Sequence, residues 1–336
     1  MSQLCLAGLL ELIRLLCYVL LFIERINHAM ISRKTGTALF ILCLILLVCG
    51  LRGDVEFPLV QSLAFFPFSD NRDLNRREMD LGLKIDYSNV YSLDFNQYGV
   101  NDFEMTGLVL SCRYGLLDGL TLELYYRYVG IFGGFLDGGI EAFHDFFNLP
   151  AARRDYYEAN SVNYFYRSFF DYNHSTGIGS PLVLSVLKSL AGNPHLKVSG
   201  RLFLGIPLYS KPGLVSDRIF GGAGVVGLFT KGHFRAESSL HMSFLGQPEW
   251  LAAEELRSFV ILFNLELGFR GLRAGLNVKT SPYTSDYFSS NAHQLYVGYR
   301  FSRWIEIGIV EDLPPMDTTP DVGFYIKLVF PVPLKK

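Results

Sequence analysis

Ser239, His241 and Ser243 stand two residues apart along the chain, and His144 is followed directly by Asp145. A hydroxyl, an imidazole and a carboxylate are the parts of a hydrolase or an acyltransferase. They act only where nucleophile, base and orienting group lie within hydrogen-bond reach. Spacing at i, i+2 puts the first three on one face of an extended strand, where polar neighbours also recur without any catalytic task. No Gly-x-Ser-x-Gly, His-Glu-x-x-His or clustered metal spacing accompanies them. Catalytic residues stay unassigned, a barrel-type lipid-modifying enzyme stays open as an alternative, and no metal or cofactor is expected.

Charges at alternate positions are the second set. Lys84, Arg127, Lys197, Arg201, Arg235, Arg273, Lys279, Arg300 and Lys327 are cations at the polar phase of alternating runs. Asp86, Glu123, Glu237, Glu266 and Glu306 are the anions, and His241 shares their phase. If these runs are strands of a barrel in a bilayer, such groups must face the lumen. A Lys or Arg turned to mid-bilayer lipid costs about 2–4 kcal/mol. The lumen would then be either a lined pore for a solute or a packed ion-pair network.

The alternation itself fixes the elements that carry these groups. Met79, Leu81, Leu83, Ile85 and Tyr87 alternate with Asp80, Gly82, Lys84, Asp86 and Ser88. Leu120, Leu122, Leu124, Tyr126 and Tyr128 alternate with Thr121, Glu123, Tyr125 and Arg127. Phe234, Ala236, Ser238, Leu240, Met242 and Phe244 alternate with Arg235, Glu237, Ser239, His241 and Ser243. A period of two with one apolar and one polar face predicts strands between unlike media. Twelve are expected, at 79–91, 103–113, 119–129, 178–190, 195–207, 222–230, 233–245, 257–269, 272–280, 292–301, 304–311 and 321–330. Their lengths suit a tilted membrane strand of about 9–11 residues.

Connections alternate in kind. Tight turns fall at Gly115–Asp118, Ala191–Pro194, Lys231-Gly232, Arg270-Gly271 and Ser302-Arg303, with longer polar loops at 92–102, 130–177, 208–221, 246–256, 281–291 and 312–320. Short turns at one rim and long loops at the other predict an all-β transmembrane antiparallel barrel with both termini periplasmic. Tyr114, Phe234, Phe269, Phe301 and Phe330 cluster beside the short turns as an aromatic girdle. A soluble β-sandwich shares the alternation, but not the export signal or the loop asymmetry.

Half of the residues are hydrophobic and 18% are charged, with a net charge of −2 and no basic stripe, so no nucleic-acid partner is expected. Ala38 to Val48 is an apolar run of signal-peptide length behind Arg33 and Lys34, and Val48-x-Gly50 offers a cleavage site after Gly50. Residues 1–29 read as an upstream over-extension, 30–50 as the signal peptide and 51–78 as a periplasmic segment. The barrel follows at 79–330, with a tail at 331–336. The rival readings of the first residues are an inner-membrane helix or an uncleaved anchor. Removing 1–50 leaves Cys112 as the single cysteine, which excludes a disulfide framework within one chain.

Segment 130–177 is too long for a simple loop. Gly130–Gly139 is glycine-rich, and 137–148 carries the pattern of a short amphipathic helix with His144 on its polar side. Arg153 and Arg154 follow as further loop candidates. The segment is either a constriction folded into the lumen or a cap on the rim.

Three stretches carry a resemblance: Phe57-Pro58-Leu59-Val60, the insertion Phe135-Leu136-Asp137-Gly138-Gly139-Ile140-Glu141-Ala142-Phe143-His144, and Leu149-Pro150-Ala151-Ala152-Arg153-Arg154-Asp155. They resemble a proteobacterial family known as domain of unknown function 3187, over about residues 55–330. The resemblance implies an outer-membrane location and no assigned activity, so it transfers no functional residues. Val322, Phe324, Ile326, Leu328 and Phe330 also resemble the terminal signal read by the barrel assembly machinery, with Pro331–Lys336 added behind it. The expected partners are outer-membrane lipid, that machinery and a solute of unknown identity. The expected function is a channel or transport barrel for small solutes or hydrophobic compounds, with a closed structural envelope protein as a further alternative.

Overall fold

The computed structural model describes residues 74–93, 99–135, 138, 142, 161–166, 170–251, 256–284, 291–302, 304–312 and 322–333. The expected signal peptide, the upstream residues and most of the segment 51–78 lie outside these, as do most of the 137–148 pattern, His144, Arg153 and Arg154.

Fourteen strands are described, all antiparallel to their neighbours. They are β1 (Glu78–Leu93), β2 (Gly99–Leu117), β3 (Leu120–Phe132), β4 (Asn163–Tyr166), β5 (Phe170–Tyr172), β6 (Thr176–Gly192) and β7 (Leu196–Ile206). Then come β8 (Phe220–Lys231), β9 (Phe234–Phe244), β10 (Phe259–Phe269), β11 (Leu272–Lys279), β12 (Ala292–Arg300), β13 (Ile305–Asp312) and β14 (Val322–Pro333). Twelve of them, all but β4 and β5, form a ring in which each strand pairs with its neighbours in sequence order. β1 pairs with both β14 and β2, which closes the ring. The expected strand count and the closed all-β architecture are what the chain adopts.

Five tight connections join the strands at one rim. One of three two-residue turns is Arg270-Gly271 between Phe269 and Leu272, with φ of 49° and 93°. Positive φ at both central residues is the hairpin geometry whose twist matches the flanking strands, and Gly271 adopts it without a Cβ penalty. The outward phase carries Leu81, Ile85, Leu110, Leu124, Leu202, Leu240 and Ile326, all exposed. This is an apolar belt that suits hydrocarbon, not water. Phe234, Phe269, Phe301 and Phe330 are exposed beside the short turns, and Trp304 joins them.

Three differences from the sequence reading have local causes. The hairpin of β1 and β2 is longer than expected, because its ladder continues to Leu93 opposite Val100. There β3 has ended, and β4 takes over its side of β2, with Asp102 opposite Asn163 and Gly99 opposite Tyr166. The pair β4 and β5 was not anticipated, since strands of four and three residues are too short to show a period. Finally, β14 runs to Pro333, past the expected tail boundary at 331. The ladder to β13 begins at Ile305 opposite Leu328, and beyond Val329, which donates to the Trp304 carbonyl at 2.8 Å, the strand pairs with β1 alone. One side of this stretch is an edge, where a proline without an N–H is tolerated.

Candidate functional site

The inward phase of the ring builds two layers. Nearer the short turns lies a charged layer. Glu123 on β3 is its first centre: Arg113 Nε donates to Oε1 at 3.1 Å, Ser185 Oγ donates to Oε2 at 2.8 Å, and Arg201 Nε stands 3.3 Å from Oε2. Asp80 extends this group, 3.8 Å from Arg113. Glu266 on β10 is the second centre. Arg273 donates to it at 3.1 Å, and Arg235 stands 4.0 Å away while donating to Glu237 at 2.5 Å. Arg300 donates to Glu306 at 2.8 Å, as does Tyr325 at 3.1 Å, and Lys84 lies 3.3 Å from Asp86. Cross-strand neighbours hold opposite charges at matched register, such as Arg113 opposite Glu123 and Arg300 opposite Glu306.

The sequence candidates fall as follows. Asp86, Glu123, Arg127, Arg201, Glu237, His241, Glu266, Arg273, Lys279 and Glu306 are buried on the inward phase. Lys84, Arg235, Arg300 and Lys327 share that phase and are half-buried. Lys197 also has that phase, at the end of its strand. It lies at the short-turn end of β7, one residue after the strand begins at Leu196, and is exposed there. Alternation missed Arg113 and Asp80, although both stand in the polar phase. It also missed the neutral partners: Asn264 donates to Asn277 and, at 3.1 Å, contacts Tyr296. Uncharged side chains carry no signal that separates a lumen contact from a surface position.

The second layer is an apolar cluster at the loop end. Val90, Phe103, Met105, Val129 and Ile131 point inward at the loop ends of β1, β2 and β3. They pack with Val310 of β13 and with Leu214, Val215, Leu251 and Tyr283, which come from three different loops across the ring. The 130–177 insertion supplies Val162, Tyr164 and Phe170. Tyr164 is fully buried. Its ring lies 4.9 Å from Phe103 and 4.7 Å from Phe170, and its hydroxyl donates to the Gly213 carbonyl at 2.5 Å. Tyr172 donates to the Pro212 carbonyl at 2.9 Å, and Phe170 meets Trp250 edge-on at 6.1 Å.

The insertion thus does two things. It leaves β3 over the outer face, where Tyr87 packs on Phe132 and Phe135 at 5.6 and 5.5 Å and Glu104 is buried beside Gly134. It returns as β4, which extends the wall along β2 and turns Tyr164 inward. A second apolar cluster, of Tyr125, Val183, Phe203, Phe220, Val260 and Leu262, lines the lumen on β3, β6, β7, β8 and β10. Leu245 packs against both clusters.

Ser239, His241 and Ser243 are buried on the inward face of β9, with the His241 ring 6.4 Å from Phe203. The row faces the lumen, away from the apolar belt. Among the described residues no three His, Cys, Asp or Glu side chains gather as a metal site requires.

The comparisons agree with this architecture. No curated protein matches the sequence. An outer-membrane channel from Pseudomonas putida F1 superimposes at a TM-score of 0.51 with 12% identity, over 80% of this chain and all of that one (100%). A KdgM porin aligns at a TM-score of 0.38 with 7% identity, over 75% of this chain and 98% of that one. The first likeness, at this identity, speaks to the fold: a closed membrane-type barrel. The profile of the family described as "Protein of unknown function (DUF3187)" matches residues 56–331, which takes in every strand described but the last two residues of β14, and the chain therefore belongs to the DUF3187 family.

Proposed function

We propose that this protein is an outer-membrane channel for small solutes or hydrophobic compounds, held shut at rest by the aromatic layer at its loop end. The observation that carries the reading is the make-up of that layer. It is assembled from four strand ends, an inserted hairpin and three separate loops. A structural core would be built most cheaply from the strands themselves. Loop-borne closure is what allows a barrel to open without breaking its ladder. The short turns and both termini then lie on the periplasmic side, and the aromatic layer faces outward from the cell. Lipid surrounds the belt, and the barrel assembly machinery inserts the chain by its last strand. The signal peptide is cleaved after Gly50.

The test is single-channel recording on protein refolded into planar bilayers. The wild type should open in brief steps. Tyr164→Ala with Phe170→Ala should lengthen the openings or raise their conductance without loss of insertion. Were neither protein to conduct, the channel reading would fall. A closed structural barrel would then be the better account. The pairing of most lumen charges into opposite-sign contacts favours that second reading.

A further inference from the structure

We propose that apolar small molecules leave the lumen sideways, between β3 and β6, into the loop-side half of the bilayer. The proposal rests on the channel reading above and adds the exit. Among the described residues three ladder irregularities occur in the ring. Two lie next to short turns, at Gly115/Leu117 and Ser189/Ala191, where strands begin and end. The third lies in mid-wall, between Tyr126 and Tyr128, where Tyr126 pairs with Leu182 but Tyr128 pairs with Gly179. Arg127 therefore faces two residues, Ser180 and Pro181.

This place differs from the rest of the wall in three ways. Pro181 has no N–H, so it cannot donate to the ladder where the register already slips. Gly177 and Gly179 flank it and place no side chain on the lipid side. A Cβ at either would run into the hydroxyl ends of Tyr128 and Tyr126, so the two phenol tips lie over these glycines where side chains would otherwise stand. On the inner side, the buried Arg127 stands at the irregularity, with an apolar cluster above it and another below. Val129 and Ile178 belong to the loop-end cluster, and Tyr125 and Val183 to the second. Arg127 is about eight residues above the turn at Asp118-Gly119. On a strand tilted by about 40° this is about 20 Å up, within an apolar band about 25 Å tall. An apolar molecule that has passed the loop-end layer thus meets a weakened wall with lipid behind it.

A bulge can also serve only to curve a strand. Stapling it would then change nothing. In register, Tyr126 and Leu182 are direct neighbours on the outer face, at a spacing that a disulfide tolerates. The Tyr126→Cys/Leu182→Cys protein is compared with itself, oxidised and reduced by tris(carboxyethyl)phosphine. One readout is potassium chloride conductance in planar bilayers. The other is N-phenylnaphthylamine fluorescence in a Gram-negative host that produces the protein. The side exit requires ion conductance to be equal in both states, while probe uptake falls to the level of cells without the protein on oxidation and returns on reduction. Equal uptake in both states overturns it, and so does a reduced protein that conducts ions but admits no probe. A reduced protein that passes neither overturns the channel reading as well. If the staple does not form, Tyr126→Ala/Tyr128→Ala decides. Faster uptake supports the exit, and unchanged or slower uptake overturns it.

Discussion

Replacing Glu123 by Gln should destabilise the barrel by about 3–5 kcal/mol, the usual consequence of removing one member of a buried ion pair. The magnitude follows from the geometry. The carboxylate is fully buried, with Arg113 at 3.1 Å and Arg201 at 3.3 Å. At an effective dielectric of about 20, each contact is worth about 5 kcal/mol of Coulomb energy. Part of that gross loss is offset, because burying a neutral amide avoids the several kcal/mol of desolvation that a carboxylate carries. Asp80 remains 3.8 Å from Arg113 and keeps it partly compensated. Arg201 would bear most of the damage. The assay is reversible urea unfolding in lipid vesicles, followed by the fluorescence of Trp250 and Trp304. Arg201→Met and the double variant complete the cycle. The removal of Arg201 should recover much of the lost stability, since no uncompensated guanidinium is then left beside the amide. A loss below about 1 kcal/mol, or strict additivity in the cycle, would refute the reasoning, because it would mean that water already solvates this cluster.

Two further outcomes are expected. Leu83→Arg should lower folding yield in vesicles far more than Lys84→Leu. Leu83 lies on the outward phase between Leu110 and Leu328, whereas Lys84 faces inward beside Asp86. The first change costs about 2–4 kcal/mol if the site lies near the bilayer midplane, and equal yields would show that the strand phase is wrong. Mass spectrometry of envelope protein should find a chain that begins after Gly50, and peptides from Met1 or Met30 would refute the cleavage.

The twelve-strand ring was legible in the sequence because the period of two is a local property. Each run, such as 79–88 or 234–244, separates apolar from polar residues without reference to any partner. Turn residues add the strand order, since Arg270-Gly271 admits only neighbouring antiparallel strands, while the turn expected at Lys231-Gly232 falls one residue later, at Gly232-His233, because Lys231 still pairs with Phe234. The phase of the charges followed from the same pattern, whereas burial at a strand end, as at Lys197, depends on what surrounds that end. The family was legible too, but in the sequence of the insertion and not in its conformation.

What tertiary structure alone decided is who meets whom across the ring. Arg201 and Glu123 are far apart in the chain and become partners only because β6 lies between β3 and β7. The loop-end layer joins Tyr164, Leu214, Leu251 and Tyr283 from four connections whose sequences share no pattern. Strand alternation reports the medium on each side of the wall, residue by residue. It carries no information about contacts made across a closed lumen, because those are set by ring closure and loop path, and both are properties of the whole chain at once.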